Sequence, residues 1–247
     1  MCGVLGYISN KPDLDLLRKL IIESSIRGLH ATGISYKAEC GKILTFIHPG
    51  PAKEFLELFD LKKVLTSFGC AVIVHCRYST SDLEYNQPIG NHNLSMVHNG
   101  VITQEPPEKW PDMFPDFGNF ATKNDSEILW KAIVTDKFDS IEVMNPSIAA
   151  CWLDASAPFL SVGVVRNGKR PLYKVSIDDE EGNVKGYIVV STSDILSRAD
   201  SSIEEVIKVS PGLKFISVIY RDGEDNRSKL TEFNLSRIAP DKEYCNE

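Results

Sequence analysis

The sequence predicts an α/β fold in which large mixed or antiparallel sheets outweigh the helices. Three observations carry this expectation. Segments of strand length, rich in β-branched and aromatic residues, recur through the chain; only three segments show helical apolar spacing; and neither a repeat nor a linker divides the 247 residues. A chain of that length buries roughly 70–75% of its unfolded surface, so its core needs no disulfide or metal to close it.

The elements follow in order. Val4-Leu5-Gly6-Tyr7-Ile8 reads as a strand that starts almost at the N-terminus and is closed by the turn residues Ser9-Asn10-Lys11-Pro12. Leu16, Leu17, Leu20 and Ile21 recur at helical spacing and predict a helix over 13–25, with Pro12 suited to its first turn. Two more helices are predicted over 52–65 and 125–134; in the latter Asn124 can cap and Glu127 sits three residues on, as in a capping box. Strands are expected at 43–47, 70–77, 94–98, 149–153, 160–166, 172–177, 186–191 and 214–220. The Gly- and charge-rich stretches 166–169, 178–183 and 221–227 read as hairpin loops, and a charged tail is expected from Asp222 to Glu247.

Composition narrows the function. At 43% hydrophobic and 25% charged the chain has the make-up of a soluble globular protein, and its N-terminus lacks the basic and apolar regions of a signal peptide, so a cytoplasmic location is expected. No uncharged apolar run approaches the roughly 18 residues of a membrane span. Formal charge is −7 with the basic residues scattered, which argues against a nucleic-acid partner. The six cysteines are widely spread, without a C-x-x-C pair or zinc-ligand spacing, so neither a metal nor an organic cofactor is expected.

Cys2 is the most informative residue. A small second residue permits removal of Met1, leaving a thiol and a free α-amine on one residue; an amine of pKa about 7.7–8.0 can accept the thiol proton near neutrality. Asn99-Gly100 between apolar residues is a strong hairpin signal. Arg77 ends a strand whose alternation puts it on one face with His75, and Cys76, Val74 and Val72 on the other. His75 and His98 read as satisfied structural histidines rather than bases.

Five segments, Met1 to Tyr7, Ser25 to Gly33, His75 to Thr80, Val97 to Ile102 and Lys123 to Glu127, occur in that order, followed by Val189-Val190-Ser191-Thr192-Ser193-Asp194. Together they resemble class II glutamine amidotransferase domains of the N-terminal-nucleophile (Ntn) hydrolase superfamily: the glutaminase parts of glucosamine-6-phosphate synthase, asparagine synthetase and PRPP amidotransferase. The resemblance implies a four-layer αββα sandwich with two stacked, mainly antiparallel sheets, formed by residues 2–247 as one glutaminase domain. It implies that Cys2 is the nucleophile with its α-amine as base, and that the Asn99 amide and Gly100 N–H form the oxyanion hole, the glycine letting backbone approach substrate. It further implies that Arg77 and Thr80 bind the α-carboxylate of L-glutamine and Asp125 its α-ammonium. Many members read Arg-Gly-x-Asp where this chain has Arg27-Gly28-Leu29-His30, and Tyr78 and Ser81 stand where the aminosugar-synthase branch commonly has tryptophan and histidine. Those departures argue against that branch and leave the other residues intact.

The expected reaction is hydrolysis of glutamine to glutamate and ammonia through a Cys2 thioester, with ammonia consumed by a separate synthetase or transferase partner. Two other readings stand beside it: an N-terminal-cysteine amidohydrolase acting on an acylated amine or γ-glutamyl peptide, and a non-catalytic glutamine-binding regulatory domain.

Overall fold

The computed structural model describes residues 2–79, 84–156, 159–221 and 228–237, with side chains as far as Gly212. The chain runs β1 (Gly3–Ser9), α1 (Leu14–Ser24), β2 (Ala31–Lys37), β3 (Ile43–His48), α2 (Ala52–Leu58), β4 (Cys70–Arg77), β5 (Ile89–Gly90) and β6 (Leu94–His98). It continues with α3 (Trp110–Met113), α4 (Ser126–Thr135), α5 (Asp139–Glu142), β7 (Ala149–Asp154), β8 (Leu160–Arg166), β9 (Tyr173–Asp178) and β10 (Val184–Val190). The last elements are α6 (Ser193–Ala199), β11 (Ile207–Lys208), β12 (Leu213–Arg221) and β13 (Ser228–Arg237).

Strand alternation generates the layers. In β4, Val72, Val74 and Cys76 pack outward with Leu17, Leu20 and Ile21 of α1, Phe55 of α2 and Leu196 of α6. Ala71 and Ile73 point the other way, onto Val97, Cys151, Val162 and Val164. Those strands belong to a second sheet, whose far side carries Met96, Ala150, Trp152 and Val165 against Ile128, Leu129 and Ile141 of α4 and α5. Three apolar layers therefore separate four structural ones, in the expected αββα order. The first sheet runs β11-β9-β10-β1-β4-β2-β3 and the second β13-β12-β8-β7-β6-β5. Each pairing described is antiparallel, which settles the choice between mixed and antiparallel sheets.

Several expectations change. The helix predicted over 52–65 ends at Leu58: Phe59 leaves it to stack on Phe55 and Phe46, at 5.4 and 5.6 Å, and the Asp60 carboxylate takes the Lys62 N–H at 2.9 Å to start a separate 3-10 turn. Asp13, not Pro12, begins α1, its carboxylate accepting the Asp15 and Leu16 N–H groups at 2.9 Å each. The 166–169 stretch is not a hairpin, because β8 and β9 lie in different sheets. Ser228–Arg237, read as part of a charged tail, pairs with β12. β2 escaped prediction because its inter-sheet face is polar: Ser35 bonds Thr45 and Ser95 at 2.6 and 2.7 Å, and the Lys37 ammonium donates to the Phe159 carbonyl at 2.9 Å. Among the described residues no helix is long and apolar enough to cross a membrane.

Candidate active site

Strand ends from both sheets meet at one edge of the sandwich. Gly3 of β1 pairs with Cys76 of β4, so Cys2 comes level with Arg77 and both fall on the inter-sheet side. Across the gap β6 ends at His98, and the Asn99 N–H still bonds the Ala149 carbonyl at 2.9 Å, holding Asn99 and Gly100 as an extension of the strand. The hairpin alternative for Asn99-Gly100 is thereby excluded, since β6 next pairs with β7, about fifty residues on. The first turn of α4 supplies Asp125. Cys2, Arg77, Gly100 and Asp125 all line one cleft of about 480 Å³, the size of a small-molecule site. Thr80 and Ser81 lie outside the described residues.

Cys2 is held from two sides. Its main-chain nitrogen donates to Asn99 Oδ1 at 3.2 Å, and its carbonyl accepts from Arg27 Nε at 3.2 Å. Its sulfur stands 3.9 Å from the Tyr78 carbonyl. Because the Cys2 N–H fixes Oδ1 as the acceptor, Asn99 Nδ2 is left as a donor; it is buried, in a residue only 3% exposed, and has no partner. Leaving a buried donor unmade costs about 1–3 kcal/mol, which an oxyanion beside it would return.

Arg27 is a residue the sequence reading did not single out, although it lies in the quoted Arg27-Gly28 motif. Gly28 has an extended backbone open to any residue, but a Cβ there would collide with the Arg77 and Cys76 carbonyls. The glycine lets the loop carrying Arg27 press onto the end of β4, reinforced by the bond from His30 N to the Arg77 carbonyl at 3.0 Å. His30 itself, the departure from Arg-Gly-x-Asp, accepts the Ser79 N–H through Nδ1 at 2.8 Å and packs on Tyr78.

Gly100 has a packing reason of its own. A Cβ at Gly100 would strike the Ser147 carbonyl and come within 2.5 Å of His98 Nε2, so the protein's own packing demands glycine here. Arg77 Nη1 donates to the Tyr85 carbonyl and Asn86 Oδ1, both at 2.7 Å. Asn124 Nδ2 reaches the same Tyr85 carbonyl at 3.1 Å, tying the head of α4 to the segment that steadies Arg77. Asp125 does not cap α4 with its side chain: its Oδ2 takes the Ile102 N–H at 2.6 Å, while Asn124 Oδ1 takes the Ser126 N–H at 3.1 Å. The predicted capping box is incomplete, because the Glu127 carboxylate turns to the Ala121 and Thr122 N–H groups.

The two histidines differ. His98 is satisfied as expected, through a chain in which Gln87 Nε2 donates to Ser126 Oγ at 3.1 Å, Ser126 Oγ pairs with His98 Nδ1 at 2.9 Å and His98 Nε2 meets the Ser147 carbonyl at 3.0 Å. Burial depresses its pKa, consistent with a neutral ring. His75 overturns the expectation: it is 1% exposed, lines the cleft, and neither ring nitrogen has a hydrogen-bond partner. Burial, aided by Arg77, pushes its pKa down to about 3, so it is neutral at physiological pH.

Known proteins share this architecture. No protein-family model matches the chain. A glutamine–fructose-6-phosphate aminotransferase (isomerizing) of Bacillus cereus is 27% identical over 187 residues, covering 70% of this chain and 30% of that one. Its Bacillus anthracis counterpart is 26% identical over the same shares. Among solved structures, the glutamine PRPP amidotransferase of B. subtilis superimposes with a TM-score of 0.65 at 21% identity, over 96% of this chain and 50% of that one. A glutamine aminotransferase class-II domain protein from Silicibacter pomeroyi gives 0.55 at 11% identity, over 95% and 100% of the two chains. The chain thus spans less than a third of the curated relatives it matches. It is similar in sequence to these aminotransferases over 70% of its length and shares the fold of the solved glutamine amidotransferase structures.

Proposed function

We propose that the chain is a glutamine amidotransferase subunit that hydrolyses the side-chain amide of L-glutamine to glutamate and ammonia. The observation that carries this is the pairing of Cys2 with Asn99, whose amide oxygen engages the Cys2 main chain while its amide nitrogen remains a buried donor without a partner; Cys2 and Gly100, on either side of that pair, line the cleft together with Arg77 and Asp125. A substrate with both a free carboxylate and a free ammonium gives that cation and anion a purpose, whereas an acylated amine gives them none.

Removal of Met1 would turn the Cys2 nitrogen into an α-amine. That amine takes the thiol proton, and the thiolate adds to the glutamine side-chain carbonyl, placing negative charge on oxygen beside Asn99 Nδ2 and the Gly100 N–H. Collapse breaks the C–N bond, the leaving nitrogen takes the proton from the ammonium, and ammonia departs from a thioester. Water, deprotonated by the same amine, then attacks the thioester and releases glutamate. Arg77, and Thr80 by resemblance, hold the substrate carboxylate; Asp125 holds its ammonium. Amidotransferase domains deliver ammonia to a synthase domain or partner, and for this chain we assign that role to a separate acceptor-activating protein in the cytoplasm, with residues 2–247 acting as one glutaminase domain.

The test is intact mass before and after reaction with a diazo-ketone analogue of glutamine, followed by peptide mapping. Loss of Met1 and a single adduct on Cys2, blocked by excess glutamine, is the expected result. Retained Met1 in protein from the native host, or labelling elsewhere, would rule the mechanism out.

A further inference from the structure

Behind the glutamine cleft lies a second cavity of about 410 Å³, bounded by Thr103, Gln104, Asn145, Ser147, Lys169 and Arg170 among others, with no carboxylate among the described residues that line it. On the other side of the 168–171 loop a cavity of about 320 Å³ is lined by Arg166, Lys169 and Lys208, again with no acid among the described residues that line it. In a chain of net charge −7, such a local excess of cations concentrates positive potential at one place, as anion sites do.

The loop that carries the cations is preorganised. Arg166 spends its guanidinium on the main chain, donating to the carbonyls of Gly168, Arg170 and Val209, which fixes the loop. Asn167 locks it from behind, accepting the Ile148 N–H at 2.9 Å and donating to the Pro146 carbonyl at 2.6 Å. Lys169 Nζ is stationed at the Asn145 carbonyl, 2.7 Å away, on the rim of the larger cavity. Arg170 differs from Arg166: its Nε is enclosed and has no partner. Its charge is felt nearby, since burial depresses the pKa of Arg27 and of His98 and the Arg170 cation lowers both further. A guanidinium with an enclosed, unmade donor beside a cavity of this size gains a partner when an anion enters.

We propose that the cavity between the 101–104 segment and the Lys169-Arg170 loop binds a compact anion of at least two charges, held by Arg170 and Lys169 through charge-assisted hydrogen bonds. The site is separate from the glutamine cleft but shares Val101, Thr103 and Gln104 with it as a common wall, so its occupant rests against the segment whose N–H groups hold Asp125. The proposal goes beyond the glutaminase reading and does not depend on it.

A compact dianion could carry phosphate or carboxylate groups, so the test titrates the full chain calorimetrically with pyrophosphate and, separately, with citrate at constant ionic strength. Saturable binding of one or both to a single site, weakened at least tenfold by Arg170→Met, partly retained by Arg170→Lys and unchanged by Lys53→Met on the opposite outer layer, is the expected result. Pyrophosphate alone would assign a phosphate-bearing ligand and citrate alone a polycarboxylate. Circular dichroism of each variant separates lost binding from lost fold, and Arg170→Lys serves if Arg170→Met does not fold. No saturable binding of either anion at millimolar concentration, or binding that Arg170→Met leaves unchanged in a folded protein, would overturn it.

Discussion

Replacing Asn99 by Ala separates catalysis from stability at one residue. Two terms bear on stability. The bond from the Cys2 nitrogen to Oδ1 is lost, at about 0.5–1.5 kcal/mol, while the unpartnered Nδ2 disappears, returning about 1–3 kcal/mol of desolvation. A small cavity adds a cost of similar size, so the net change is expected within about 1 kcal/mol, or about 2–4 °C in Tm for a chain of this length. Catalysis loses an oxyanion donor, which is worth about 100- to 1,000-fold in kcat. Asn99→Asp sharpens the case: it is isosteric and keeps the acceptor for the Cys2 nitrogen, but it puts a negative oxygen where the developing charge needs a donor, so activity falls at least as far as in Asn99→Ala. The assay is glutamate release from saturating glutamine beside a thermal melt. If both variants keep activity within threefold, the oxyanion assignment is wrong; if activity and Tm collapse together, Asn99 is structural and the reasoning from its unpartnered nitrogen fails.

Other outcomes follow from the same geometry. Ser126→Ala strips a partner from His98 Nδ1 and from Gln87 Nε2, both buried, and should lower stability by about 1–3 kcal/mol in a denaturant titration. Arg77→Lys keeps the charge but not the fork, and should raise KM for glutamine more than it lowers kcat in steady-state kinetics. The folded pKa of His75, about 3, is below its unfolded value near 6.5, so the unfolded state binds more protons in between. Stability therefore falls as pH drops from about 6.5 toward 3, by up to about 1.4 kcal/mol per pH unit from this residue, and His75→Phe should flatten that slope in melts across the range.

The sequence reading reached most strands because their apolar residues alternate cleanly, as in Cys70–Arg77 and Leu94–His98. It lost β2, where Ser35 and Lys37 face the gap between sheets and bond to groups remote in the chain, so local hydropathy hides their burial. It mistook 166–169 for a hairpin because a turn's composition does not say which sheet receives the next strand. Candidate residues were found through ordered motifs; Arg27 was passed over because its contact is with the Cys2 main chain. The packing reason for Gly100 is not legible in the sequence because the obstacle to a Cβ there is the Ser147 carbonyl, supplied by a segment 47 residues away.

By itself the sequence determined what is local or periodic: the strand faces, α1, and the chemical kinds of group available for catalysis. Only the tertiary structure decided what those groups do to one another. The register of β1 on β4 and the extension of β6 bring Cys2 to Asn99 across 97 residues, and consume one side of the amide while leaving the other unmade. It also decided that His98 is satisfied and His75 is not, since both are strand histidines of the same kind and differ in the groups that opposing elements present to them. Side-chain identity is fixed by the chain, but burial and pairing are properties of the packed assembly, and it is those that set which donor is left without a partner.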